Sequence, residues 1–374
     1  MSGMNSLVLL LAGFGLLAVH LLRAPAVGRR GVAVVCFAMG LFASAFGIRA
    51  LTDAAGVGRT TDFDRVVNHA VSLAVSEPDA PLVVFTGASY SRNALDDVRL
   101  TEQLRASSFP HRVINLSLEA ASLPEREAHL TAFIERSGRV PDVVFVEVAA
   151  AFDYLPAQFF NNSKFSTRGI EQFDVRTSAW TSLGLLQGGC LSGTDCVLSL
   201  GLTGAHFGLN ALNVGLVSKA EAPERAGDLA AYDPQTTPRI PTTDEERETG
   251  LRGGPDFRPS QGPLWIASLR AQLESDLKRR GVSHVGYYFP PVIDAQKRAY
   301  VDGLCLGELE GNPCIAPTDP VLLAALEGEV WFDPHHLLAT GADTYTDWLA
   351  QQLISSGLLD GNQVAGLPGT GDHQ

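Results

Sequence analysis

The first thing this 374-residue sequence lacks is charge: Asp, Glu, Lys and Arg make up 18% of it, against roughly 25% in an ordinary soluble domain. The shortfall is concentrated at the start, where Met1 to Leu22 contain no charged side chain at all. Basic residues are outnumbered, the formal net charge being -13, and no stripe of Lys and Arg is present. That argues against a nucleic-acid partner, which needs such a stripe. Cysteine is sparse, at 5 residues. Internal repeats and low-complexity tracts are missing, which excludes a solenoid.

What fills the uncharged start is aliphatic. Leu7 to Leu22 is apolar apart from Gly13, Gly15 and His20, and a second uncharged run extends from Gly31 to Ile48. Each is long enough to cross the roughly 30 Å hydrocarbon layer as a helix. Between them, Arg23 to Arg30 carry Arg23, Arg29, Arg30 and Pro25, a short basic turn. The expectation is a membrane hairpin over 1–50 with the lipid bilayer as its partner. The positive-inside rule places the basic turn in the cytoplasm and the rest of the chain outside it. Arg49, Arg59 and Arg65 after the second run argue against this orientation, though they are thinly spread among Asp53, Asp62 and Asp64. A rival reading takes Arg29-Arg30, Gly31 to Phe42 and Ala43-Ser44-Ala45 as the three regions of a cleaved signal peptide. A third makes the two runs buried helices of a soluble core.

Cys36 lies in the second apolar run, while Cys190 with Cys196 and Cys305 with Cys314 form two close pairs in Gly-containing loops. Two local disulfides in an oxidising compartment are expected. Free thiols and a four-cysteine zinc site are the alternatives, and neither pair has the two-to-four-residue spacing of a zinc knuckle.

Beyond the hairpin, Phe63, Val66, Val67, Ala70, Val71, Leu73 and Ala74 recur with helical spacing, giving a connecting helix within 51–80. Short apolar runs at Pro81 to Thr86, His111 to Leu116, Pro141 to Ala149 and Ser283 to Phe289 read as buried strands. They alternate with helical patterns at Asn93 to Ala106, Pro124 to Ser137, Leu264 to Arg280, Val321 to Leu326 and Gly341 to Ser355. The fold class expected is therefore α/β, a three-layer α/β/α domain with a mostly parallel sheet over 81–358. An irregular insertion occupies 178–262. Within it, Leu183 to Leu186 and Leu198 to Leu212 have helical character, while Lys219 to Gln261 lack periodicity and read as exposed or disordered. Residues 359–374 form a disordered tail.

Two segments carry chemistry. Leu82 to Ser91 reads LVVFTGASYS, a strand, a glycine turn and a serine opening a helix. Gly87 permits the sharp turn, and the N–H groups that follow can meet an oxyanion. On that reading Ser89 is the nucleophile; on the other, Ser89 or Ser91 only caps the helix. More than 240 residues later the chain reads Asp333-Pro334-His335-His336-Leu337. Asp333 and His336, three apart, share a face in a helical turn, so the carboxylate can orient the imidazole toward the serine. His335 is either an exposed neighbour or part of an Asp333, His335, His336 metal site.

Together these segments resemble the SGNH, or GDSL-like, hydrolase and acyltransferase superfamily, specifically its membrane-tethered envelope branch. Gly87-Ala88-Ser89 resembles the first block, Val113-Ile114-Asn115-Leu116-Ser117 the second and Asp333-Pro334-His335-His336 the last. Ala88 stands where the first block often has Asp, and Ser117 where the second usually has Gly. The third block, Gly-x-Asn-Asp, is replaced by Glu147-Val148-Ala149-Ala150-Ala151-Phe152-Asp153. The resemblance implies an SGNH-type serine esterase or O-acetyltransferase without a cofactor, having Ser89, His336 and Asp333 as its triad. Ser89, Ser117 and Asn115 would serve the oxyanion, with Asn161 or Asn162 as a stand-in for the missing Asn. It also implies acyl esters of an envelope glycan as substrate, a multi-span membrane protein as acyl-transfer partner, and a place on the bacterial inner membrane with the domain extracytoplasmic. The weak middle blocks leave open a non-catalytic binding or assembly subunit.

Overall fold

Every side chain of Leu82–Thr86, the first strand (β1), is buried, as a strand covered on both faces must be. The computed structural model describes residues 62–118, 121, 123–148, 175–186, 193–211, 244–252 and 264–359, together with Gly31 and Gly40. β1 pairs with Arg112–Asn115 (β2) on one side and Val143–Glu147 (β3) on the other. His284–Tyr288 (β4) and Cys314–Ile315 (β5) complete a five-stranded, fully parallel sheet in the order β2-β1-β3-β4-β5.

The pleat of β1 divides the core. Leu82 and Val84 pack with Val66, Val67, Leu130, Phe133, Leu273 and Val301. Val83 and Phe85 pack on the opposite face with Leu100, Leu104, Tyr345 and Leu349. The first face is covered by Asp62–Ser76 (α1), Leu123–Ser137 (α4), Leu264–Arg280 (α8) and Ala295–Leu306 (α9). The second is covered by Asp97–Ala106 (α3), Pro320–Ala325 (α10) and Ala339–Ser355 (α11). The α/β class and the sheet sandwiched between helix layers agree with the sequence expectation.

Several elements differ from it. The helix expected over Asn93 to Ala106 is two, Ser89–Ala94 (α2) and α3, because Asp96 leaves the helix to cap α3 by accepting the Arg99 N–H. The connecting helix α1 is part of the domain's own layer, burying Val66, Val67, Ala70 and Ala74. The insertion holds three helices among its described residues, Val175–Gly184 (α5), Gly193–Ala211 (α6) and Asp244–Arg252 (α7). α7 corrects the reading of Lys219 to Gln261 as wholly irregular, since its Leu251 is buried and Arg298 donates to the Gly250 and Leu251 carbonyls. α9 and β5 were not expected, because the mixed composition of Asp294 to Leu306 hides its periodicity. Asp294 starts α9 by accepting the Gln296 and Lys297 N–H groups.

Among the described residues no helix is long and apolar enough to cross a membrane. The runs Leu7 to Leu22 and Gly31 to Ile48 fall outside them apart from Gly31 and Gly40, as does the tail from Asp360.

Candidate active site

The strand order reverses between β1 and β3, the place where an open parallel sheet leaves a crevice beyond its carboxyl ends. At that end of the sheet β1 leads through Gly87 and Ala88 to Ser89, the first residue of α2. A Cβ on Gly87 would collide with Glu147 Oε2 and with the Ser91 side chain, so glycine is required by crowding.

Asp333 and His336 reach Ser89 from the far end of the chain. They do not lie in a helical turn, as the spacing suggested, but close a tight hairpin between Trp331–Asp333 (β6) and His336–Leu337 (β7). The turn is made by Asp333 itself. Its Oδ1 accepts the His335 N–H at 2.7 Å and the His336 N–H at 2.9 Å, and Pro334 supplies the fixed φ that such a turn favours. Trp331 is buried and donates its Nε1–H to the Leu326 carbonyl at 2.8 Å. The Pro334 carbonyl accepts the Ile293 N–H at 3.0 Å, binding the hairpin to the loop after β4.

The three side chains meet. His336 Nε2 lies 2.9 Å from Ser89 Oγ, and His336 Nδ1 lies 2.8 Å from Asp333 Oδ2 and 2.9 Å from Oδ1. Because a carboxylate can only accept, Nδ1 carries the ring proton and Nε2 is left to accept from the serine. Burial pushes the Asp333 carboxyl up, but the His336 ring and the His335 N–H outweigh it and hold the group below its ordinary range. The imidazole side chain is 16% exposed, which shields the pair from bulk water and leaves an approach from outside. Tyr90 packs beside it, ring centroids 5.3 Å apart.

His335 is not an exposed neighbour. It is half-buried, stands edge-on to Tyr90 and has Lys297 Nζ 3.3 Å from its Nε2. Burial, then the Lys297 charge, lower its pKa. Among the described residues no cluster of His, Cys, Asp or Glu could hold a metal ion, the Asp333, His335, His336 trio included.

Two of the three residues expected to serve the oxyanion have their donor groups already bonded within the protein. The Ser117 N–H donates to Asn115 Oδ1 at 3.1 Å, and Asn115 Nδ2 donates to the Ser91 and Leu95 carbonyls at 3.2 and 3.0 Å. Asn115 is thus a brace between β2 and α2. The Ser89 N–H has no partner among the described residues. Asn161 and Asn162 lie outside the described residues.

Two residues at the site gave no functional signal in the sequence. Glu147, ending β3 where the third block would begin, accepts the Ala88 N–H at 2.8 Å, the Ser91 N–H at 3.3 Å and the Ser91 hydroxyl on Oε2. Arg126 of α4 donates to Glu147 Oε1 at 3.2 Å and to the Glu147 carbonyl at 2.6 Å. Both side chains are fully buried. The available hint was an acid closing a strand that is otherwise uncharged, and an arginine inside an apolar helix face.

Farther out, Cys305 and Cys314 form the expected disulfide, joining α9 to β5. Cys196 is also disulfide-bonded, and Cys190 lies outside the described residues. No family model matches this chain, and no curated protein or solved structure matches it either.

Proposed function

We propose that this protein is a serine esterase or O-acyltransferase of the SGNH type, acting through an acyl-enzyme on Ser89. The observation that carries the reading is the 2.9 Å contact of Ser89 Oγ with His336 Nε2, in a ring whose other nitrogen is held by Asp333. Ser89 Oγ attacks an ester carbonyl carbon while His336 Nε2 takes its proton, and Asp333 stabilises the imidazolium. The Ser89 N–H meets the negative oxygen of the tetrahedral adduct. On collapse the ester C–O bond breaks, the leaving alkoxide receives the proton from His336, and the acyl group stays on Ser89. In the second half His336 Nε2 takes a proton from water or from a sugar hydroxyl as that acceptor's oxygen attacks the acyl carbon. The bond to Ser89 Oγ breaks, and Oγ regains the proton. Water as acceptor makes the protein an esterase, a sugar hydroxyl a transferase.

The substrate class follows from the sequence resemblance and from the apolar runs before residue 49. It comprises acyl esters, chiefly acetyl, of a cell-envelope glycan. The chain is anchored in the bacterial inner membrane by those runs, its domain is extracytoplasmic, and a multi-span membrane protein supplies the acyl group. The Cys305–Cys314 disulfide suits that oxidising side.

A second reading, a non-catalytic binding or assembly subunit of the same fold, is favoured by the occupied Ser117 N–H and Asn115 amide. A fluorophosphonate probe separates the two. Covalent labelling of the wild type and not of Ser89→Ala supports the enzyme; an unlabelled wild type supports the binding protein.

A further inference from the structure

We infer that Glu147 is the positioning residue of the nucleophile turn, supplying from β3 the acceptor that α2 lacks at its own start, with Arg126 cancelling its charge. The inference rests on the serine-hydrolase reading of Ser89. A helix usually begins with a residue whose side chain accepts the N–H groups of its first turn. At that position of α2 stands Ala88, which makes no such bond. Glu147 Oε2 makes it instead, taking the Ala88 and Ser91 N–H groups and the Ser91 hydroxyl together. Ser89 lies between Ala88 and Ser91, both tied to one carboxylate oxygen, and its own N–H is not drawn into that set. The turn is fixed in place while the donor wanted for an oxyanion stays open.

A buried carboxylate under a nucleophile would oppose the negative charge that develops on the substrate oxygen. Arg126 removes the conflict. It is fully buried against Glu147 and is oriented by two bonds to the Ala121 carbonyl, at 3.2 and 3.0 Å. The two carboxylate oxygens divide the work, Oε1 facing the guanidinium and Oε2 the turn. An amide cannot satisfy both sides: a Gln there turns its NH2 either toward Arg126 or toward the turn's three donors.

The test measures fluorophosphonate labelling rates per folded molecule, together with thermal midpoints, for the full-length wild type, Glu147→Gln and the double variant Glu147→Gln/Arg126→Met. A nucleophile displaced by about 1 Å costs on the order of 100-fold, and Glu147→Gln is expected to lose that much. With soluble ester the loss falls on kcat and leaves KM unchanged. In the double variant the Gln carbonyl is free to face the turn. The labelling rate therefore recovers toward the wild type although the thermal midpoint falls further, with Arg126's bonds gone. A purely structural role predicts that rate and midpoint fall together. A Glu147→Gln that labels at the wild-type rate overturns the inference while leaving the enzyme reading intact, and should the double variant not fold, this single comparison decides. A wild type that never labels at Ser89 overturns both.

Discussion

At the residue scale, the site depends on one carboxylate used twice. Asp333 builds the turn with its Oδ1 and orients the imidazole with both oxygens. Asp333→Asn keeps an acceptor for the turn but offers the ring an amide, which selects the wrong tautomer. Ester turnover is expected to drop about 10⁴-fold with little change in thermal midpoint, as steady-state kinetics beside a melting curve would show. Asp97 behaves in the opposite sense. It is buried, and burial pushes its carboxyl up to about 6, opposed by the Asn115 N–H and by Arg112. The folded state holds this proton more tightly than the unfolded chain, so the associated stability is complete below about pH 4 and is lost as pH rises to about 6. Urea unfolding of wild type and Asp97→Asn across that range is expected to diverge by up to about 3 kcal/mol. Parallel curves would contradict the assignment.

At the scale of elements, the hairpin of β6 and β7 is the piece that lets two distant stretches meet. It is clamped by α11, whose Gly341 passes so close that a Cβ would lie 2.7 Å from the Val330 carbonyl and 2.9 Å from Leu337 Cδ2. Gly341→Ala is expected to destabilise the fold by about 1–3 kcal/mol and to slow labelling of Ser89, because the wedge moves His336 away. Differential scanning calorimetry and labelling rates check both parts. The sheet was legible in the sequence because apolar strands buried on both faces read as continuous runs, as in Leu82 to Thr86. The hairpin was not. Asp333 and His336 stand three apart in a helix or across a two-residue turn alike, and what selects the turn is Asp333's own bonding to the backbone after Pro334. α9 escaped for another reason, since its buried face includes Arg298 and Asp302, polar side chains that blur an apolar stripe.

At the scale of the whole molecule, the crevice is assembled from the start and end of the domain, joined by α11 lying across α2 and α3. Asp96 donates its N–H to Thr346 Oγ1, and Arg99 Nη2 meets Asp347 at 2.8 Å, so α3 and α11 are held in register. On the far edge, the Cys305–Cys314 bond closes a loop with a sequence separation of 9. A Cys305→Ser/Cys314→Ser variant is expected to lose about 2–3 kcal/mol by chemical denaturation. That Ser89, His336 and Asp333 could come together was readable from the sequence as three residue types in a set order. The scaffold beneath it was not, because Glu147 and Arg126 take their meaning from contacts between β3, α2 and α4 that no local pattern encodes. The most direct test of the central claim is a crystal structure of the full chain after fluorophosphonate treatment. The expected result is phosphorus bonded to Ser89 Oγ, its oxygen within hydrogen-bond distance of the Ser89 N–H, and the His336 ring still held by Asp333. An unmodified Ser89 with the imidazole turned away from it would contradict the account.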